Sequence, residues 1–193
     1  MRPGSDGRWR CPWPYSGGAD YLDYHDAEWG EPVRTESGLF ERLSLEAFQS
    51  GLSWLTILRK RPGFRAAFAG FDPDQVAVFG DEDVQRLLGE TSIVRNRRKI
   101  LATVTNARAT VALRQGGGLV SLFWSVVPED RPRPRTMAQV PAHTSQSAEL
   151  AAALKRAGFA HVGPTTIYAA MQACGVVDDH LQGCFRAERS RVP

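Results

Sequence analysis

The stretch Lys155-Arg156-Ala157-Gly158-Phe159-Ala160-His161-Val162-Gly163-Pro164-Thr165-Thr166 joins two helical patterns by a tight turn, and its reading decides the fold. Pro164 is suited to the first position of a helix. Gly163 before it reads as a position where a side chain would obstruct the backbone. The helix that follows opens with unpaired N–H groups and the positive end of its dipole, a ready place for a phosphate. Thr165 and Thr166 add hydroxyl donors, and Lys155 and Arg156 add charge. Downstream, Ile167, Ala170, Met171 and Cys174 fall on one helical face, so Cys174 reads as a buried apolar residue rather than a ligand or nucleophile.

The segment resembles a helix-hairpin-helix, which binds DNA backbone without reading sequence. His161 stands where the first glycine of such a turn is usual. By itself the segment fits an ordinary αα-hairpin as well.

Outward from the hairpin the pattern is helical nearly throughout. Ser37 to Ser50 carries Leu39, Phe40, Leu43 and Ala47 at helical spacing. Asp72-Pro73 reads as an N-cap with proline behind it, and Asp81 as the cap of a short helix holding Val84, Leu87 and Leu88. Ile100, Val104, Ala107 and Val111 stripe a longer helix that stops at Gly116 to Gly118. A short helix, Leu119 to Val127, ends at Pro128, and residues 128–147 form a polar, proline-rich surface loop. Helices near 147–157 and 164–174 follow. With no alternating strands and no repeat, the expected class is all-α. Residues 9–193 form one domain, and residues 1–8 a disordered extension.

Composition narrows the class without naming a function. The chain has 193 residues, 42% hydrophobic and 23% charged, with a mean hydropathy of −0.30. That is a soluble, globular composition. No apolar run approaches the ~20 residues of a membrane span. No signal-like segment opens the chain, so a cytoplasmic location is the expectation. The net charge of +3 permits nucleic acid without demanding it. Three cysteines, an odd number, argue against a disulfide framework.

Two clusters carry possible chemistry. His180 and Cys184 lie four apart, which on a helix places both on one side, and Cys11 with His25 repeats the residue pair near the other end. A tetrahedral ion would then join the ends of the chain; plain burial of the same residues is the alternative. Residues 20–30, Asp-Tyr-Leu-Asp-Tyr-His-Asp-Ala-Glu-Trp-Gly, are dense in aromatics, with Trp13 and Trp54 besides. They read as core, or as a pocket that stacks an extruded base. Glu46 falls on the edge of the stripe made by Leu39 and Leu43. It is there either as a boundary residue paired with an arginine or as a desolvated acceptor for the amine edge of a purine. Asp178 and Asp179 follow the hairpin. They suit a catalytic aspartate, a cap for the His180 segment, or a partner of a metal-bound imidazole. Arg95 to Lys99 is a basic run that reads as a solvated turn or as extra phosphate contacts.

In consistent order from about Cys11 to Cys184, several stretches together resemble the DNA-3-methyladenine glycosylase I family. They are Tyr24 to Gly30, Leu45-Glu46-Ala47-Phe48-Gln49-Ser50-Gly51-Leu52-Ser53-Trp54, Phe71-Asp72-Pro73, Gly158-Phe159, Val162 to Thr166, Met171 to Gly175, and Asp179-His180 with Cys184. The resemblance implies a helix-hairpin-helix glycosylase fold, with two helical subdomains flanking a DNA-facing cleft. It implies structural zinc on Cys11, His25, His180 and Cys184. It implies a pocket in which Glu46 recognises 3-methyladenine, lined by Tyr21, Tyr24 and Trp54, with Trp13 and Trp29 nearby. The hairpin's Gly163, Thr165, Thr166, Lys155 and Arg156 would hold the backbone. The partner would be double-stranded DNA containing alkylated adenine, met by a monomer that binds no membrane. Glu46 would be the catalytic group of a base-excision repair enzyme, in a role centred on binding. Two departures stand out: Asp178 where relatives often have asparagine, and the 95–99 basic run where they often have glycines.

Overall fold

Helix α2 (Glu36–Gln49) lies at the centre, because every residue from Leu39 to Phe48 is buried. A helix covered on all faces must be wrapped by its neighbours. Helices α3 (Trp54–Ala67), α6 (Arg97–Leu113), α7 (Gly118–Trp124) and α9 (Pro164–Ala173) all contact it. The computed structural model describes residues 1–126 and 132–187. The described residues are all-α apart from one strand pair, the other helices being α1 (Ala19–Ala27), α4 (Pro73–Ala77), α5 (Asp81–Gly89) and α8 (Ser145–Arg156). None of these helices is long and apolar enough to cross a membrane.

Helix starts follow local capping chemistry. Thr35, Ser53, Asp72, Asn96 and Thr144 each accept a hydrogen bond from a backbone N–H in the first turn of the helix behind them. Helix α5 differs from expectation by one residue. Gly80 is its N-cap, and the Asp83 carboxylate accepts the Gly80 N–H at 3.1 Å, so Asp81 lies inside the helix. Gly117, at φ 100°, ends the α6 segment in the left-handed region. Helix α7 finishes at Trp124, and the expected end at Val127 and Pro128 lies outside the described residues.

The first residues differ from the expectation of disorder. Arg2–Pro3 (β1) pairs antiparallel with Trp9–Arg10 (β2), Arg2 opposite Arg10. The cause is electrostatic. Buried Arg10 binds Asp6 through Nη1 (2.8 Å) and Nη2 (2.7 Å), and Asp26 of α1 through Nε (2.9 Å) and Nη2 (2.6 Å). The hairpin is thereby fastened to α1.

One glycine positions the chain's far end. Gly175 has φ 74°, and a Cβ there would meet the Gly30 carbonyl oxygen at 2.7 Å and Pro32 N at 2.8 Å. The chain leaving α9 thus passes directly over the α1–α2 link. That crossing brings His180 and Cys184 against α1.

Candidate active site

Where the N-terminal and C-terminal helices meet, they leave a cavity of ≈ 240 Å³. Trp13, Tyr21, Tyr24, Trp29 and Trp54 line it, with Glu46, Gln49, Met137, Val140, Ala169, Gln172 and Asp179. The sequence reading named the five aromatics and Glu46, and weighed Asp179. It missed Met137 and Val140, which come from the loop before α8, and Gln49, Ala169 and Gln172, whose helical spacing alone shows no pocket. Trp13 is the hub of the aromatic wall. Its ring meets Tyr21 at 5.0 Å and Trp29 at 5.2 Å, both edge-on, while Tyr24 lies 5.4 Å from Trp54. Burial, and then Glu46, pushes the Tyr21 and Tyr24 phenols above their ordinary range, so both remain neutral donors. The Trp54 indole N–H is buried without a partner among the described residues.

Glu46 is 6% exposed. No hydrogen bond or ion pair among the described residues reaches its carboxylate. Burial alone pushes its pKa up to about 8. The arginine-paired acid is instead Glu41, one and a half turns earlier. Its Oε1 accepts from Arg61 Nε at 2.6 Å and Arg65 Nε at 2.8 Å. Arg61 also binds Glu28 at 2.5 Å, and Arg42 binds Glu28 as well.

The two aspartates after the hairpin separate. Asp179 is buried against the cavity, where its Oδ2 accepts from Tyr168 Oη at 2.5 Å and Gln172 Nε2 at 2.7 Å. Asp178 accepts the His180 N–H at 3.0 Å, closing an Asx turn rather than capping a helix, and pairs with Arg133 at 2.6 Å.

Behind the aromatic wall, Cys11, His25, His180 and Cys184 bring one ligand atom each to within 4.8 Å of one another, all buried. Cys184 Sγ lies 3.5 Å from His25 Nε2 and 3.8 Å from His180 Nδ1. The outer ring nitrogens are taken: His25 Nδ1 meets Asp26 Oδ1 at 2.7 Å, and His180 Nε2 meets the Trp29 carbonyl at 3.1 Å. These contacts turn the inner nitrogens toward the sulfurs, the arrangement a metal-bound imidazole needs. Two sulfurs and two imidazoles fit a closed tetrahedral site. His180 and Cys184 sit on a turn closed by Cys184 N–H to the Leu181 carbonyl, rather than on the helix expected from their spacing. Cys174 is fully buried in the main core and stands outside this group.

The hairpin joins α8 to α9. Lys155, Arg156 and Thr165 are exposed, and Thr166 is half-buried. Gly163 is not in a glycine-only conformation, contrary to the sequence reading. It has φ −83° and ψ 162°, and a Cβ there would meet nothing within 4 Å. The residues held left-handed in the turn are Gly158, at φ 94°, and His161, at φ 56°. In the 95–99 run, Arg95, Arg97 and Arg98 are exposed. Lys99 is buried, and its Nζ donates to the carbonyls of Phe48 (2.8 Å) and Ser50 (2.6 Å). That lysine caps the end of α2 and is not part of a solvated turn.

Comparison with known proteins places the chain closely. The profile of the methyladenine glycosylase family matches residues 13–187. DNA-3-methyladenine glycosylase 1 of Escherichia coli (strain K12) is 45% identical over 179 residues, covering 91% of this chain and 95% of that one. Among solved structures, a 3-methyladenine DNA glycosylase I superposes with a TM-score of 0.87 at 45% identity, over 92% of this chain and 98% of the other. A Tyr→Phe variant of a 3-methyladenine DNA glycosylase I, in complex with 3-methyladenine, superposes with a TM-score of 0.82 at 32% identity, over 91% and 94%.

Proposed function

The chain belongs to the methyladenine glycosylase family, and we propose that it works as a DNA-3-methyladenine glycosylase by seating the flipped base against Glu46 in the aromatic cavity. The enzyme hydrolyses the N-glycosidic bond of 3-methyladenine in DNA and leaves an abasic site. The observation that carries the reading is Glu46, a buried carboxylate with no partner among the described residues at the edge of an aromatic cavity. A desolvated acid kept unpaired is costly for the fold and waits for a ligand.

Adenine methylated at N3 is cationic within the nucleotide, so it is already a good leaving group. Aromatic faces attract such a cation. Its arrival favours the ionised form of Glu46, which then accepts from the amine edge of the base. The C1′–N9 bond breaks with its electron pair going to the base, which leaves neutral. Water bonds to C1′ and gives up one proton. Selective capture of the labile cation carries more of the catalysis than acid–base push does. The exposed Lys155, Arg156 and Thr165 at the ends of the hairpin, with the half-buried Thr166, hold the phosphates of a double-stranded substrate, and Gly163 leaves room for one to approach. The protein acts as a monomer on chromosomal DNA, and so within the cell.

Zinc suits the Cys11, His25, His180 and Cys184 group by its donor set. Its contribution is structural: it fastens the two ends of the chain behind Trp13 and Trp29. Cys184→Ser should lower stability far more than Cys174→Ser, read by thermal unfolding with elemental analysis. The reverse order would remove zinc from this group.

The central test is release of free base from methylated duplex DNA. Release of 3-methyladenine above a heat-inactivated control is expected. No release from any alkylated base, with duplex binding retained, would leave a lesion-sensing protein instead.

A further inference from the structure

A polar stripe runs along the buried face of α6. Lys99, Thr103, Asn106 and Thr110 recur at helical spacing, and all four are buried. The two threonines use their hydroxyls within α6, donating to the carbonyls of Lys99 and Asn106. The other two reach outside it. Lys99 grips the end of α2. Asn106 grips the hairpin turn: its Nδ2 donates to the Ala160 carbonyl at 3.1 Å, and its Oδ1 accepts the Ala160 N–H at 2.7 Å. One buried amide therefore satisfies both backbone groups of Ala160. The next residue, His161, is exposed and left-handed at φ 56°, a conformation that a Cβ disfavours. Phe159 and Val162 are buried on either side of this pair. The turn is thus pinned at three points, with His161 pushed outward between them.

We propose that Asn106 is the positioning residue for the hairpin's grip on phosphate: by clamping Ala160 it keeps His161 left-handed and aims the start of α9 at the DNA backbone. The inference rests on the reading that this hairpin takes phosphate. Asparagine suits the task because a side-chain amide offers a donor and an acceptor together. Aspartate would offer acceptors only, and would face the Ala160 carbonyl with a second oxygen. Both tethers of α6 lie on one face seven residues apart, about 10.5 Å along the helix. The hairpin is therefore held at a fixed distance from the end of α2, where Gln49 borders the cavity.

The test measures two affinities of the full, metal-loaded chain. One is for a duplex carrying an uncleavable abasic-site analogue, the other for free 3-methyladenine. Asn106→Ala should weaken duplex binding about tenfold and leave the affinity for free base within about twofold. Adding His161→Gly should restore most of the duplex affinity, since glycine holds the left-handed conformation unaided. Asn106→Asp, matched in size, should behave as Asn106→Ala does and covers a folding failure of the smaller residue. Unchanged duplex affinity in both Asn106 variants overturns the proposal. So does parallel loss of both ligands, or failure of His161→Gly to rescue. Thr165→Glu separates this from the parent reading. If it leaves duplex affinity unchanged, the hairpin does not hold phosphate. If it weakens binding while Asn106→Ala does not, only the clamp fails.

Discussion

Glu41 and Glu46 lie five residues apart on the same buried helix, and they are treated in opposite ways. Glu41 sits in a closed ring of charge, with Arg61 and Arg65 bound to it and Glu28 bridging Arg61 to Arg42. Glu46 faces an aromatic cavity, and no cation among the described residues pairs with it. Burial is similar, 7% exposed against 6%. What differs is compensation. A compensated carboxylate serves the fold, whereas an uncompensated one destabilises it and is available to a ligand.

The comparison breaks most visibly at the ring. Glu41→Gln removes the negative charge that Arg61 and Arg65 share, leaving Glu28 as the remaining carboxylate on Arg61, and should cost about 3 kcal/mol in denaturant unfolding. Base release per folded molecule should stay near normal. A variant of full stability would show that the ring is not structural.

At the cavity the outcomes should be inverted. Glu46→Gln is expected to lower kcat/KM for base release about 100-fold, with the fold intact by circular dichroism. Turnover at the original rate would remove Glu46 from the site.

A third, smaller effect concerns pH. The Glu46 pKa rises from an ordinary 4.5 to about 8 on folding. The native state therefore holds a proton that the unfolded chain has lost, so stability falls as pH rises from about 4.5 to about 8. Glu46→Gln lacks that slope, so its stability advantage over the parent should be almost nothing at pH 4 and grow as pH rises toward 8.5. Parallel stability curves for the two proteins would mean Glu46 is compensated after all.

Much of this was legible in the sequence, and the choice left open at α2 is instructive. Spacing put Glu46 on the edge of an apolar stripe, and a boundary glutamate paired with arginine was one reading. That description belongs to Glu41. A polar-looking helix can be buried on every side when its charges are paired with one another, and pairing partners such as Arg61 and Glu28 come from other elements. Short-range periodicity cannot show them. The same limit hid Met137, Val140 and Gln172 from the cavity list, and Asp26 from the metal group. Residues whose role follows from chemistry, such as the Cys11/His25 and His180/Cys184 pairs or the proline opening α9, were visible because their side chains announce what they can bind. On α6 the apolar stripe from Ile100 was readable, while Lys99 read only as part of the 95–99 basic run and Asn106 carried no signal of its own. Only their distant partners reveal them as buried.

The crossing at Gly175 has a consequence in time. The cysteine and histidine that meet at 3.5 Å are 159 residues apart in the chain. Contacts of such separation close late, and during synthesis the second half of the group emerges long after the first. Helices α2 to α6 can pack beforehand, since their contacts are nearer in sequence. The wall formed by Trp13 and Trp29 cannot, because it rests edge-on against the rings of His25 and His180. A nascent chain therefore holds its scaffold before it holds its pocket, and competence to capture a base follows the scaffold rather than accompanying it.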